Sequence, residues 1–424
     1  MSYLMRRSGV LLFFVSLLAI ACVDPGTTRR RVDSDDLDSG TQPSDPNSDS
    51  GFRPRGDATT SCHGGLNDDL DRDGFTPSDG DCNDCSPQVN PAAFDDPSNA
   101  IDEDCDGIPA SAIEVCDTGL ALDSSDPNDA ARAIGLCQFI TEAERGWGVL
   151  SARWTRADGT GTPISAMQHG IMPAFGAVAA RAGSSLLAIS SGAARAPDQP
   201  GYTTDCDLYG RSPSGGAPAG LNPDSPACPG VRSGEVFDPI ALEVQIRVPS
   251  NARGFRFESN FFTYEYPDYI CSTFNDFFVV VMDPRPSGSP DGNIVFDLDG
   301  NKVSVNNSLL RACAPGDFGG RTFTCPLGVG PLAQTSYDNT AECGASSPFP
   351  FPLPFPFPMD EDAPIGASTG WLRTEVPVSG SEIITLRFAI WDAGDPQLDS
   401  LSLIDSFEWL LEDPGEVRTD PILF

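Results

Sequence analysis

Between residues 241 and 392 the chain repeatedly alternates apolar and polar side chains with a period of two. In "ALEVQIRV", Leu242, Val244, Ile246 and Val248 alternate with Glu243, Gln245 and Arg247. "GFRFESNFF" sets Phe255, Phe257 and Phe261 against Arg256, Glu258 and Asn260, and "SEIITLRFAIWD" places Ile384, Leu386, Phe388 and Ile390 on one face. Successive side chains of a strand point to opposite faces, so the pattern predicts antiparallel strands with one face in a core and the other solvated. "FNDFFVVVMD" is a continuous apolar run suited to a central strand, and "NIVFDLDGNKVSVNN" predicts a hairpin turning at Asp299–Gly300. Many short strands with Gly/Pro-rich connections predict an all-β protein, an antiparallel, jelly-roll-like β-sandwich. One stretch departs from this. "SSDPNDAARAIGLC" predicts a short helix with Asp126 as N-cap, Pro127 at the first helical position and Gly135 as the stop.

Two inserts interrupt the strands. A Gly/Pro/Ser loop over 205–228 is expected to be closed by Cys206 and Cys228. "SSPFPFPLPFPFPMDED" alternates proline with apolar residues, which forbids a central strand and favours an extended conformation. Its phenylalanines suit packing or a spacer better than a partner-binding strip.

The N-terminus bears on the compartment. Arg6 and Arg7 precede an apolar run from Val10 to Ala21 that is short for a membrane span and has the layout of a secretory signal. "AIAC" then resembles the bacterial lipobox, with Ala19 where leucine is commonest. That resemblance implies cleavage after residue 21, acylation of Cys22 and attachment to a membrane through the lipid. Ordinary secretion is the alternative. The cysteine count agrees with a lipid: of 13 cysteines, 12 remain once Cys22 is set aside, enough for up to six disulfides in an oxidising compartment. Cys116 and Cys137 bracket the predicted helix and are candidate partners. Residues 22–61 are rich in Asp, Ser, Pro and Gly and predict a disordered tether.

Charge narrows the partners. Sixty-one acidic residues against 26 basic ones give a net charge of −35, and Lys302 is the sole lysine. Such a field repels nucleic acid and anionic lipid and attracts cations. The acids are densest at 62–109, the segment that offers a candidate metal site. Asp69, Asp71 and Asp73, followed by Gly74, reproduce the first half of an EF-hand loop, with the Phe75 carbonyl at the seventh place. The closing glutamate is missing: the twelfth place is Gly80, between Asp79 and Asp81. The pattern recurs as Asp102, Asp104 and Asp106 before Gly107. Hard oxygen ligands beside oxidised cysteines favour Ca2+ over zinc or copper, bound weakly as in other extracellular modules. The alternative is an acidic linker stapled by disulfides.

"DLDRDGFTPSDGDCNDCSPQVNPAAFDDPSNAIDEDCDGI" resembles the Asp/Cys metal-binding motif repeated in many bacterial surface proteins, departing from it at Cys85 and at "FDDPSNA". The resemblance implies a ligand set that also draws on Asp84, and a bridge between Cys82 and Cys105. Farther on, "EYPDY", "STFND" and "DPQLDS", with the blocks around them, resemble the choice-of-anchor L domain of bacterial surface proteins over 116–412, leaving 413–424 as a tail. This implies an extracellular β-rich domain on a bacterial envelope, here an outer-membrane lipoprotein, with no implied reaction. Within it Glu265, Asp268, Asn275 and Asp276 are a candidate second ligand site, strand and turn capping being the alternative; Asp392, Asp395 and Asp399 form a similar set for which turn formation is favoured.

Catalytic signals are weak. His63 and His169 are the only histidines, and neither lies in a hydrolase or phosphate-loop motif. The sequence therefore reads as a non-catalytic surface lipoprotein with a calcium-stabilised module and an unidentified glycan or protein ligand. A carbohydrate-active or other hydrolase on the same scaffold is the alternative.

Overall fold

The computed structural model describes residues 64–203, 214–338 and 366–423. Its sixteen strands are β1 (Gly148–Thr155), β2 (His169–Met172), β3 (Ala174–Phe175), β4 (Val178–Ala179), β5 (Leu186–Ser190), β6 (Val236–Arg247), β7 (Gly254–Thr263) and β8 (Phe277–Asp283), followed by β9 (Val303–Ser304), β10 (Gly316–Phe318), β11 (Arg321–Phe323), β12 (Ala367–Ser368), β13 (Leu372–Pro377), β14 (Ile383–Ala393), β15 (Ser400–Leu410) and β16 (Arg418–Pro421). One antiparallel sheet runs β1-β6-β14-β8-β9, and a second runs β16-β13-β7-β15-β5-β2 with β12 paired to β7. From β5 to β8, and again from β13 to β15, consecutive strands alternate between the sheets. The two sheets share one core.

That core is the set of residues the period-two pattern picked out. Leu242, Val244 and Ile246 of β6 and Ile384, Leu386 and Phe388 of β14 pack with Phe255, Phe257 and Phe261 of β7. Phe257 meets Phe388 edge-on across the gap, ring centroids 5.3 Å apart at 82°. Each fully buried ring of this kind contributes about 2 kcal/mol.

The outer faces differ from expectation. Alternation predicted solvated polar faces, yet Glu243 on β6 and Glu258 and Asn260 on β7 are buried. Arginines lie against the two glutamates, Arg153 and Arg387 on Glu243 and Arg181, from the β4–β5 connection, and Arg373 on Glu258, and further apolar clusters gather around Trp391, Phe277 and Leu221 on the first sheet and Phe175, Phe262, Trp371 and Leu403 on the second. A strand's own pattern does not report what a distant loop will lay over it.

The helix forms over Pro127–Ala133, and the Asp126 carboxylate accepts from Asn128 N, as an N-cap should. Gly135 ends it at φ 102°, where a Cβ would meet the Phe407 backbone oxygen at 3.0 Å. Asp299–Gly300 does turn the chain, but the hairpin shrinks to a single Phe296–Lys302 bridge because β9 pairs with β8 instead. The expected tail is part of the fold: β16 pairs with β13 from Leu372–Pro421 to Glu375–Arg418.

Disulfides join Cys82 to Cys105, Cys116 to Cys137, Cys228 to Cys271 and Cys313 to Cys325. The third corrects the expected Cys206–Cys228 closure. Cys271 lies 43 residues from Cys228 in sequence, and the fold brings the start of β8's approach loop against the 214–234 segment. Cys22, His63, Cys206 and the Phe/Pro insert lie outside the described residues.

Candidate metal centre

The Asp/Cys segment folds as two half-loops with the same backbone. In each, the fourth residue adopts a left-handed conformation (Arg72 at φ 67°, Cys105 at φ 61°), as does the sixth, a glycine (Gly74 at 95°, Gly107 at 96°). In each, the first aspartate accepts from the glycine N–H, at 3.2 Å for Asp69 and 2.9 Å for Asp102. The third aspartate accepts from the fifth residue's N–H (Asp71 from Asp73, Asp104 from Asp106), and the fifth from the seventh's (Asp73 from Phe75, Asp106 from Ile108). Asp69 thus has both carboxylate oxygens tied to backbone N–H groups, while Asp71 and Asp73 each use one oxygen in this way.

The first half-loop is completed from the next turn. Asp84 Oδ1 accepts from Leu70 N at 2.8 Å, which draws Asp84 to the loop, and Asp81 Oδ1 accepts from Asn83 N at 2.8 Å. Carboxylate oxygens of Asp69, Asp71 and Asp73 come within 4.8 Å of one another, and so do those of Asp71, Asp81 and Asp84. Asp71 is common to both sets. The second oxygens of Asp71, Asp81 and Asp84 are buried, and no hydrogen-bond donor meets them, whereas the Asn90 side chain reaches the Asp73 carboxylate. Burial first, then the charge of the neighbouring aspartates, pushes the Asp71 and Asp81 carboxyls above the usual carboxylate range; burial also leads for Asp73. Five hard oxygen donors with no cationic side chain among them fit Ca2+.

The second cluster joins Asp102 and Asp104 to Asp95, which the sequence reading passed over. Asp95 was findable as an acid in the "FDDPSNA" segment, where the motif resemblance fails. This cluster is more self-satisfied. Asp95 accepts from Glu103 N at 2.6 Å and Ala110 N at 2.6 Å, and Asp102 Oδ1 is the buried oxygen that no donor meets. The Cys82–Cys105 bridge ties the two clusters together.

Two expected ligands stand elsewhere. Asp79 closes a 3-10 turn over Pro77–Asp79, takes the Thr76 hydroxyl at 3.0 Å and pairs with Arg145 at 3.4 Å, contacts that lower its pKa, the hydroxyl foremost. Asp106 is exposed and belongs to neither cluster. The Phe75 ring lies under the Arg145 guanidinium, 4.2 Å from its centroid, which anchors the loop to the chain that leads into β1.

Comparison with protein-family models, curated proteins and solved structures returns no match. The chemistry therefore rests on the residues themselves.

The candidate second site resolves as capping. Asp268 is exposed and apart. Glu265 Oε2 accepts from Asp276 N at 3.0 Å, while Asp276 accepts from Ala393 N at 3.1 Å and from the Ser400 hydroxyl at 2.8 Å. These acids stitch the ends of β7, β8, β14 and β15 together, with Asn275 and Asp392 buried alongside. Burial raises Glu265 and Asp392 well above the ordinary range and Asp276 to about 7, and the mutual repulsion of the carboxylates adds to it. Among the described residues their oxygens do not form a converging triplet as those of the module do. His169 is buried and stacked on Trp154 at 4.1 Å; burial, then the Arg195 charge, lowers its pKa to about 4. It is a neutral core histidine.

Proposed function

We propose that residues 64–109 are a calcium-binding module whose ion completes the fold of a non-catalytic, lipid-anchored bacterial surface protein. One observation carries the metal reading: carboxylate oxygens of Asp71, Asp81 and Asp84 converge, and each of these aspartates has a buried oxygen that no hydrogen-bond donor meets. A carboxylate desolvated in this way is costly unless paired, and a divalent cation is the pairing its geometry admits. The exported, surface-bound part of the proposal is supported by the lipobox-like "AIAC", by the disulfides and by the resemblance to choice-of-anchor L domains, and binding or adhesion is the role that setting suggests. Calorimetric titration with Ca2+ and proteolysis with and without chelator test the module. Saturable heat and protection of 64–109 are expected, and their absence together removes the metal reading. Mass spectrometry of the N-terminal peptide tests the anchor, and an unmodified Cys22 removes it.

A further inference from the structure

A cleft of about 510 Å3 opens between the module and the sandwich, a volume typical of small-ligand sites. Aromatic rings at steep angles form its inner wall. Trp147 and Trp409 stand at 82° with centroids 6.2 Å apart, Phe94 meets Trp147 at 67°, and Phe407 meets Trp409 at 83°. Trp147 is fixed in place because its Nε1–H donates to the Ala93 carbonyl at 2.7 Å. Six acidic side chains and no basic one line the cleft. Glu408 is held by Arg256, and Asp95 and Asp104 belong to the module's second cluster, which leaves Asp96, Asp106 and Glu114 at the rim.

The half-buried Trp147, set steeply against its neighbours, offers a ring surface to the cleft beside the little of Trp409 that is exposed, and a carboxylate rim adds long-range attraction for a cation. An anion is repelled by both features. A small metal ion keeps its water rather than face indole rings. A weakly hydrated cation with an apolar coat meets both demands. We propose that this cleft binds an organic cation, a quaternary or N-methylated ammonium group seated against Trp147 and Trp409, with Asp96 and Glu114 at its mouth. The site does not depend on calcium in the module.

Choline is the probe, titrated into the full chain at saturating calcium and followed by tryptophan fluorescence and calorimetry. Its uncharged isostere 3,3-dimethylbutan-1-ol is run beside it. Choline binds saturably, and the isostere binds about tenfold more weakly because only the cation–π and rim terms differ. Trp147→Leu abolishes the difference. Should that variant not fold, the rim variant Asp96→Asn/Glu114→Gln decides, since it keeps the thermal midpoint and weakens choline severalfold. Equal binding of choline and isostere, an unaffected rim variant, or no saturable signal overturns the proposal. Choline binding that appears only when calcium is chelated also overturns it, because it assigns the binding to the carboxylate clusters alone.

Discussion

The sandwich and the Asp/Cys module treat buried carboxylates in opposite ways. In the sandwich two buried strand glutamates each meet two guanidinium groups. Glu243 lies between Arg153 and Arg387, each at 2.5 Å, and Glu258 between Arg181 and Arg373, each at 2.8 Å. In the module, carboxylates gather with other carboxylates; Arg145 pairs with Asp79 and covers the Phe75 ring, and Arg72, on the exposed side of the first half-loop, makes no ion pair with them among the described residues. These two glutamates find their counter-charges within the polypeptide. Among the described residues no cationic side chain pairs with the module's clustered aspartates. The Glu265–Asp276–Asp392 knot follows a third route, in which protons take the place of counter-charges.

The largest break of this contrast is expected from Glu258→Ala. It removes the carboxylate that two partly buried arginines share and destabilises the sandwich by about 3 kcal/mol, the low end for a broken buried pair because both guanidinium groups are part-exposed. Thermal unfolding checks it, and the loss should be the same with and without calcium. If calcium offsets the loss, the two regions are not independent in charge.

Next comes calcium itself. At a free concentration a hundredfold above Kd it stabilises the module by about 2.7 kcal/mol, read as slowed hydrogen exchange over 64–109 with the strands of the sandwich unchanged. Within the site, Asp71→Asn, at the residue both oxygen sets share, is expected to weaken calcium at least tenfold, roughly 1.4 kcal/mol. Asp79→Asn should leave affinity unaltered. Equal effects of the two substitutions would show a diffuse acidic patch rather than a site.

Acidity should then move the two regions in opposite directions. Asp276, raised to about 7, and Asp405, raised to about 6 with burial the first cause, bind protons more tightly folded than unfolded. The stability they contribute is therefore full below the unfolded carboxylate range and is lost as pH rises through about 6 to 7, at about 1.4 kcal/mol per pH unit for each proton involved. Calcium binding runs the other way. Protons compete for Asp71, Asp73 and Asp81, whose carboxyls are also raised, so affinity falls as pH falls through their range. Thermal melts and calcium titrations across pH 4 to 8, with Asp276→Asn flattening the first slope alone, check both signs. The smallest effect is expected from Asp126→Ala, which removes the helix cap at a cost of about 1 kcal/mol and should leave calcium binding untouched.

Features built from neighbours in sequence were legible. The core faces of β6, β7 and β14, the Asp126-capped helix and the twin half-loops each come from spacings within about a dozen residues, where side-chain period and left-handed glycines act on the local backbone. Asp79 shows the limit even at this range. Its place in the motif suited a ligand, and a threonine three residues earlier captured it for a cap.

Composition and local pattern by themselves determined that this chain forms two-faced antiparallel strands, one short helix and acidic turns able to aim oxygens inward. Only the tertiary structure decided that Cys228 bridges Cys271, that Glu243 and Glu258 each sit between two arginines, and that Trp147 packs edge-on against Trp409 beside a cleft. The reason is physical. A short period constrains backbone torsions directly, whereas the meeting of residues 43 to 262 positions apart depends on the path of everything between them, and no single stretch of sequence encodes that path.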